Sequence, residues 1–148
     1  MLSLRAIASR LREGDVRGAL EIIEEHRGRL EAARVYPLAW LALRAWSAIL
    51  NVFGAGVPPA TEVLSQLEVR LTSLAVEARI LAERGVVDEK LADELVSLLI
   101  DDRLVSLLRS CRGGACNPRA VMEYGELFRL LGEVLAVAGG ADRDCIPG

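Results

Sequence analysis

Apolar residues recur along this chain at intervals of three and four, and no run alternates apolar with polar over a strand's length. The pattern predicts helices and no strand. The first covers Ser3–Glu13, with Leu4, Ile7, Ala8 and Leu11 on one face; Gly14 stops it and Asp15 caps the next. The second covers Val16–Ala33 along a seam of Val16, Ala19, Leu20, Ile23, His26, Leu30 and Ala33. The third covers Pro37–Phe53, with Pro37 in the first turn, where a missing N–H costs nothing. This helix is apolar nearly all round, Arg44, Ser47 and Asn51 excepted, so the fold or a partner must bury it.

The segment Gly54–Pro59 reads as a turn. Helix four, Pro59–Arg84, carries the seam Ala60, Leu64, Leu67, Leu71, Leu74, Ala78 and Leu81. The repeat stops at Gly85 after few heptads, which favours a bundle helix over an extended coiled coil. Helix five, Asp88–Cys111, repeats Leu95-Val-Ser-Leu-Leu99 as Leu104-Val-Ser-Leu-Leu108. Nine residues make two and a half turns, so the copies face opposite sides of a straight helix. Either it is buried on both sides or it breaks at Asp101-Asp102, with Asp102 capping a new segment. Asn117-Pro118 opens helix six, Pro118–Ala138. Gly125, Gly132 and Gly139 recur in it every seven residues; the first two imply close approach of another backbone, and Gly139-Gly140 ends the helix.

The expected architecture is all-α: a compact bundle of about six mainly antiparallel helices, seven if the fifth breaks. It forms one domain over residues 1–140, with a frayed tail at 141–148.

Composition adds habitat and excludes some partners. The 148 residues are 52% hydrophobic and 26% charged with net charge −3, which suits a globular domain and not a wholesale nucleic-acid binder. From Val35 to Thr61 the only charge is Arg44, but that charge, Pro37, Asn51 and the turn make a buried helix the better reading than a membrane span. Arg outnumbers Lys 17 to 1 and only three Asn and Gln occur, a bias expected of a thermophilic, archaeal source. The N-terminal residues show no secretory pattern, so the expected location is cytoplasmic.

Catalytic signatures are missing. His26 is the single histidine and falls on a core seam; Cys111, Cys116 and Cys145 do not make a zinc set; no phosphate loop or nucleophile elbow is present. Neither metal nor cofactor is expected. Two constellations stand out instead. Tyr36, Trp40, Trp46 and Phe53 put four of the six aromatics in or beside helix three, and with Gly125 and Gly132 they form the expected interface. The second is the stretch Arg109–Arg119. Arg109, Arg112 and Arg119, the Gly113-Gly114 turn and the helix start at Asn117 make a candidate anion or nucleic-acid contact. There Cys111 and Cys116 are near enough to form a disulfide across the turn, leaving Cys145 free.

Gly14-Asp15-x-x-x-Ala19-Leu20 resembles the turn and second-helix start of a tetratricopeptide hairpin, which implies a helix-hairpin packing mode. In size and all-helical class the chain is also similar to the small subunits of CRISPR effector complexes. The leading expectation is a non-enzymatic interaction module or assembly subunit, a homodimer through helix three or the glycine stripe, or one bound to a partner protein. The alternative is a small nucleic-acid-associated subunit.

Overall fold

The computed structural model describes residues 3–26, 32–54 and 59–138, which form seven helices and no strand. These are α1 (Leu4–Arg12), α2 (Val16–His26), α3 (Ala32–Phe53), α4 (Thr61–Glu83), α5 (Glu89–Leu99), α6 (Asp102–Arg112) and α7 (Pro118–Ala138). The all-α class is as expected.

Local chemistry sets most of the ends. Ser3 Oγ accepts from Ala6 N–H at 3.3 Å, Asp15 Oδ1 from Gly18 N–H at 2.8 Å, Asp88 Oδ1 from Leu91 N–H at 3.0 Å and Asn117 Oδ1 from Ala120 N–H at 3.3 Å. Each fills one amide that a helix start leaves unpaired. Beyond α1, Gly14 turns the chain at φ +77°, a left-handed conformation that a side chain disfavours.

The expected fifth helix breaks. Ile100 and Asp101 separate α5 from α6, so both Leu-Val-Ser-Leu-Leu copies turn their leucines into the core. The N-cap residue is Asp101 rather than the expected Asp102, and its side chain makes no capping bond. The boundary between the second and third helices also differs. Helix α3 begins at Ala32, which places Pro37 inside it rather than in its first turn. Val35 is fully buried, Arg34 Nη2 donates to Val87 O at 3.3 Å, and Arg34 O accepts from Asp88 N–H at 3.0 Å. These tertiary bonds hold the turn that proline weakens. The expected seam side chains Ile23, His26, Leu30 and Ala33, most of the Gly54–Pro59 turn, Gly139-Gly140, the tail and Cys145 lie outside the described residues.

Helices α3 and α7 form the central pair, and α4 packs on α3 and α5, α6 on α4 and α7, and α1 on α2, α7 and α5. Gly125 sits against Ile49 and Trp46, and Gly132 against Leu43 and Ala39, so α3 and α7 run antiparallel. One core draws on every helix, with Leu38 and Ile49 from α3, Leu67 and Leu74 from α4, Leu95 from α5 and Phe128 from α7. Glu94 on α5 is the one buried charge among the described residues. Its carboxylate accepts from Leu4 N–H at 2.6 Å and Ser3 Oγ–H at 3.1 Å, placing negative charge at the start of α1.

Helix α3 includes Arg34–Phe53, a segment long and apolar enough by length and composition to cross a membrane. In this structure α7 and α4 pack on it, and Arg44 Nη1 meets Glu77 Oε1 on α4 at 3.1 Å.

Candidate functional site

The arginine-rich connection between α6 and α7 is a closed turn. Gly113 N–H donates to Arg109 O at 3.0 Å, Gly114 N–H to Cys111 O at 3.2 Å and Ala115 N–H to Ser110 O at 2.9 Å. Gly114 takes φ +90°. Cys111 and Cys116 are joined by a disulfide. The expected anion grip is not assembled. Arg112 Nη2 is bound to Glu68 Oε1 on α4 at 2.9 Å and its Nη1 reaches Ser65 Oγ at 3.4 Å, so this guanidinium ties α6 to α4. Asn117, whose neighbouring amides were to receive the anion, spends its side chain on the cap of α7. Arg109 and Arg119 remain exposed beside the exposed Gly113 and Gly114.

The expected interface also divides. Phe53 is 2% exposed and belongs to the core, while Trp46 is half-buried against it. Gly125 and Gly132 are buried under α3 of the same chain. A methyl group at Gly132 would lie 2.7 Å from Leu43 Cγ and 3.1 Å from Ala39 O, and one at Gly125 would lie 3.1 Å from Ile49 Cγ2. The stripe is therefore an internal helix contact and is not free for a second chain. Tyr36, Trp40 and Leu50 remain, at 39%, 57% and 38% exposure; their spacing puts them with Ser47 on one side of α3, in a row that half-buried Leu43, packed on Gly132, interrupts between Trp40 and Ser47. Sequence reasoning missed a second stripe on α4, opposite its buried leucines. Val69 and Val76, seven residues apart, are 66% and 50% exposed, and Ile80 extends the row past Thr72 and Ser73. The signal was legible as β-branched residues at helical spacing, but the leucine seam on the other face dominated the pattern.

A third feature had no sequence signal. A cleft of about 360 Å³ opens between α1, α6 and α7, floored by Leu11, Leu127 and Leu130 and edged by Arg12, Arg103 and Glu123. In its wall Tyr124 Oη–H donates to Asp101 Oδ2 at 2.6 Å, and the Arg12 guanidinium stands 6.0 Å from the ring centroid. Burial, the hydrogen bond to Asp101 and that carboxylate's charge push the Tyr124 phenol up to about 12, against the weaker pull of Arg12 and Arg103. Such a phenol stays neutral near pH 7, so it serves as a hydrogen-bond donor and not as a base. Nearby, Arg129 binds both Glu126 and Glu133 on its own helix. Its hydrogen bond holds Glu126 below the usual carboxylate range, whereas burial raises Glu133 despite the same partner. Among the described residues no group of three metal-ligating side chains converges. No family model, curated protein or solved structure matches the chain, so its surfaces and their chemistry carry the functional argument.

Proposed function

We propose that this protein is a non-enzymatic helical interaction module of a thermophilic archaeal cytoplasm, whose first partner is a second copy of itself. The observation that supports this is the pair of exposed apolar stripes, Tyr36–Trp40–Leu50 on α3 and Val69–Val76–Ile80 on α4. Aromatic anchors are enriched at the centres of protein interfaces, and rows of large apolar side chains are costly to leave in water. The α3 stripe keeps part of the expected interface, Tyr36 and Trp40. The glycine contact with α3 removes Gly125 and Gly132 from it.

A nucleic-acid-associated role has weaker support. Arg109 and Arg119 remain exposed, but Arg112 is committed to Glu68.

Trp40 supplies the test. In Trp46→Phe the other tryptophan is the sole indole emitter, and acrylamide quenching reads its exposure. Self-association predicts strong quenching at high dilution and protection as concentration rises. Quenching independent of concentration, with unchanged sedimentation, contradicts the proposal.

A further inference from the structure

The Cys111–Cys116 bridge has a setting unlike that of a core staple. Cys111 lies in the last turn of α6 and is 9% exposed, while Cys116 is half-buried immediately before the cap of α7. Around them Ser110, Gly113, Gly114, Ala115 and Asn117 are all exposed, so reagents in solvent reach the turn. Only five positions separate the two cysteines, and a bridge closing so short a loop contributes less to folding than one closing a long loop. The linkage is reciprocal, so folding in turn protects such a bridge against reduction by that same amount and less than it protects one closing a long loop.

The turn has supports besides the covalent bond. Its three backbone hydrogen bonds, the Arg112–Glu68 ion pair and the Asn117 cap hold the ends of α6 and α7 where they are. Reduced thiols would therefore stay side by side. Local charge distinguishes the two sulfurs, because Cys111 lies in the last turn of α6, the negative end of that helix. Arg112 is neutralised by Glu68, while Arg109 and Arg119 flank the turn in sequence and stay exposed, and Cys116 adjoins the positive end of a 21-residue helix. Of the two sulfurs, Cys116 is therefore the better placed to carry negative charge.

We propose that Cys111 and Cys116 form a thiol–disulfide exchange site, with Cys116 as the sulfur that meets external thiols and disulfides and Cys111 as the resolving thiol. Its co-substrates are low-molecular-weight thiols and their disulfides. From the bridged state, an incoming thiolate attacks Cys116 Sγ, a mixed disulfide forms there, and Cys111 leaves as a thiolate that takes a proton from solvent. A second thiolate attacks the external sulfur of the mixed disulfide and releases Cys116, again protonated from solvent. The protein gains two electrons and two protons, and the two external thiols leave joined as one disulfide. The reverse sequence oxidises the dithiol: Cys116 attacks the external disulfide and Cys111 expels the remaining thiol. The site is independent of the interaction stripes, and its test does not depend on self-association.

The test uses the full chain carrying Cys145→Ser, equilibrated with reduced and oxidised glutathione, with thiols counted by alkylation and mass mapping and folding followed by circular dichroism. The proposal expects a reversible two-electron titration within the range of glutathione ratios, with helix content unchanged throughout. It also expects a glutathione adduct on Cys116 in Cys111→Ser, read in Cys111→Ala if the serine variant does not fold, and markedly less adduct on Cys111 in Cys116→Ser. A bridge that resists every glutathione ratio until the protein unfolds overturns the proposal, as does a pair that never closes in oxidised glutathione. An adduct that prefers Cys111 overturns the assignment of roles.

Discussion

Tyr124 shows how one contact between distant elements creates a measurable property. Its hydroxyl donates to Asp101 across 23 positions of sequence, and the folded protein holds the phenol at about 12 against the ordinary 10.0. A group raised by folding contributes stability that is complete below its unfolded value and is lost as pH rises through the folded one. The protein should therefore lose about 2 kcal/mol of stability from this residue between pH 10 and pH 12. Urea midpoints across that interval measure it. Tyr124→Phe should flatten the alkaline loss and cost about 1 kcal/mol at neutral pH, where the bond to Asp101 is gone; an unchanged alkaline slope in this variant refutes the assignment. Neither this pair nor the grip of Glu94 on the start of α1 was legible in the sequence. Both depend on elements far apart in the chain, and an isolated Tyr, Asp or Glu on a helix has the same local pattern whether or not a partner awaits it. The Arg112–Glu68 pair escaped for that reason, and the cluster of three arginines drew attention to anions outside the protein. Replacing Arg112 by Ala should lower stability by about 1 kcal/mol, because both partners are largely shielded. Thermal unfolding of Arg112→Ala beside Arg119→Ala checks this: the exposed Arg119 should be near neutral, and equal effects would contradict the structural role of Arg112.

At the scale of elements, the helix starts at Asp15, Asp88 and Asn117 were the most legible feature, because each cap acts through the following residues of the same segment. The start of α3 was not, because long-range bonds from Arg34 and burial of Val35 extend the helix upstream of a proline that reads as a first-turn residue. The heptad spacing of Gly125 and Gly132 was legible as a close approach, but spacing cannot say whether the approaching backbone belongs to the same chain. Gly132 makes the sharper prediction. Gly132→Ala should gain helix propensity of about 1 kcal/mol, yet meet Leu43 and the Ala39 carbonyl, for a net loss of about 1–2 kcal/mol. Gly125→Ala presses on Ile49 Cγ2 at 3.1 Å, with Ile49 Cβ and Trp46 at ordinary contact distance, so the gain in propensity and the crowding should nearly cancel. Denaturant melts of the two variants compare them directly; equal and stabilising effects would show that α3 and α7 are not held at this distance. The short disulfide belongs to this scale as well. Its reduction should cost about 2 kcal/mol without unfolding the protein.

For the whole molecule, the all-α class followed from periodicity alone, and the break at Ile100-Asp101 resolves the nine-residue echo, which a straight helix would have had to bury on two opposite sides. What covers the outside was far less legible. The leucine seam of α4 and the apolar breadth of α3 are both satisfied within the chain, yet Trp40 on one helix and Val69 and Val76 on the other stay in solvent. These positions emerge only after the core has claimed its own residues. In our proposal a second copy covers them. Sedimentation equilibrium of the wild type beside Trp40→Glu and the double variant Val69→Glu, Val76→Glu tests it most directly. The wild type should be a dimer in the micromolar range, and at least one variant should shift to monomer with the fold retained. A wild type that remains monomeric throughout that range, or a dimer indifferent to both sets of charges, would contradict it.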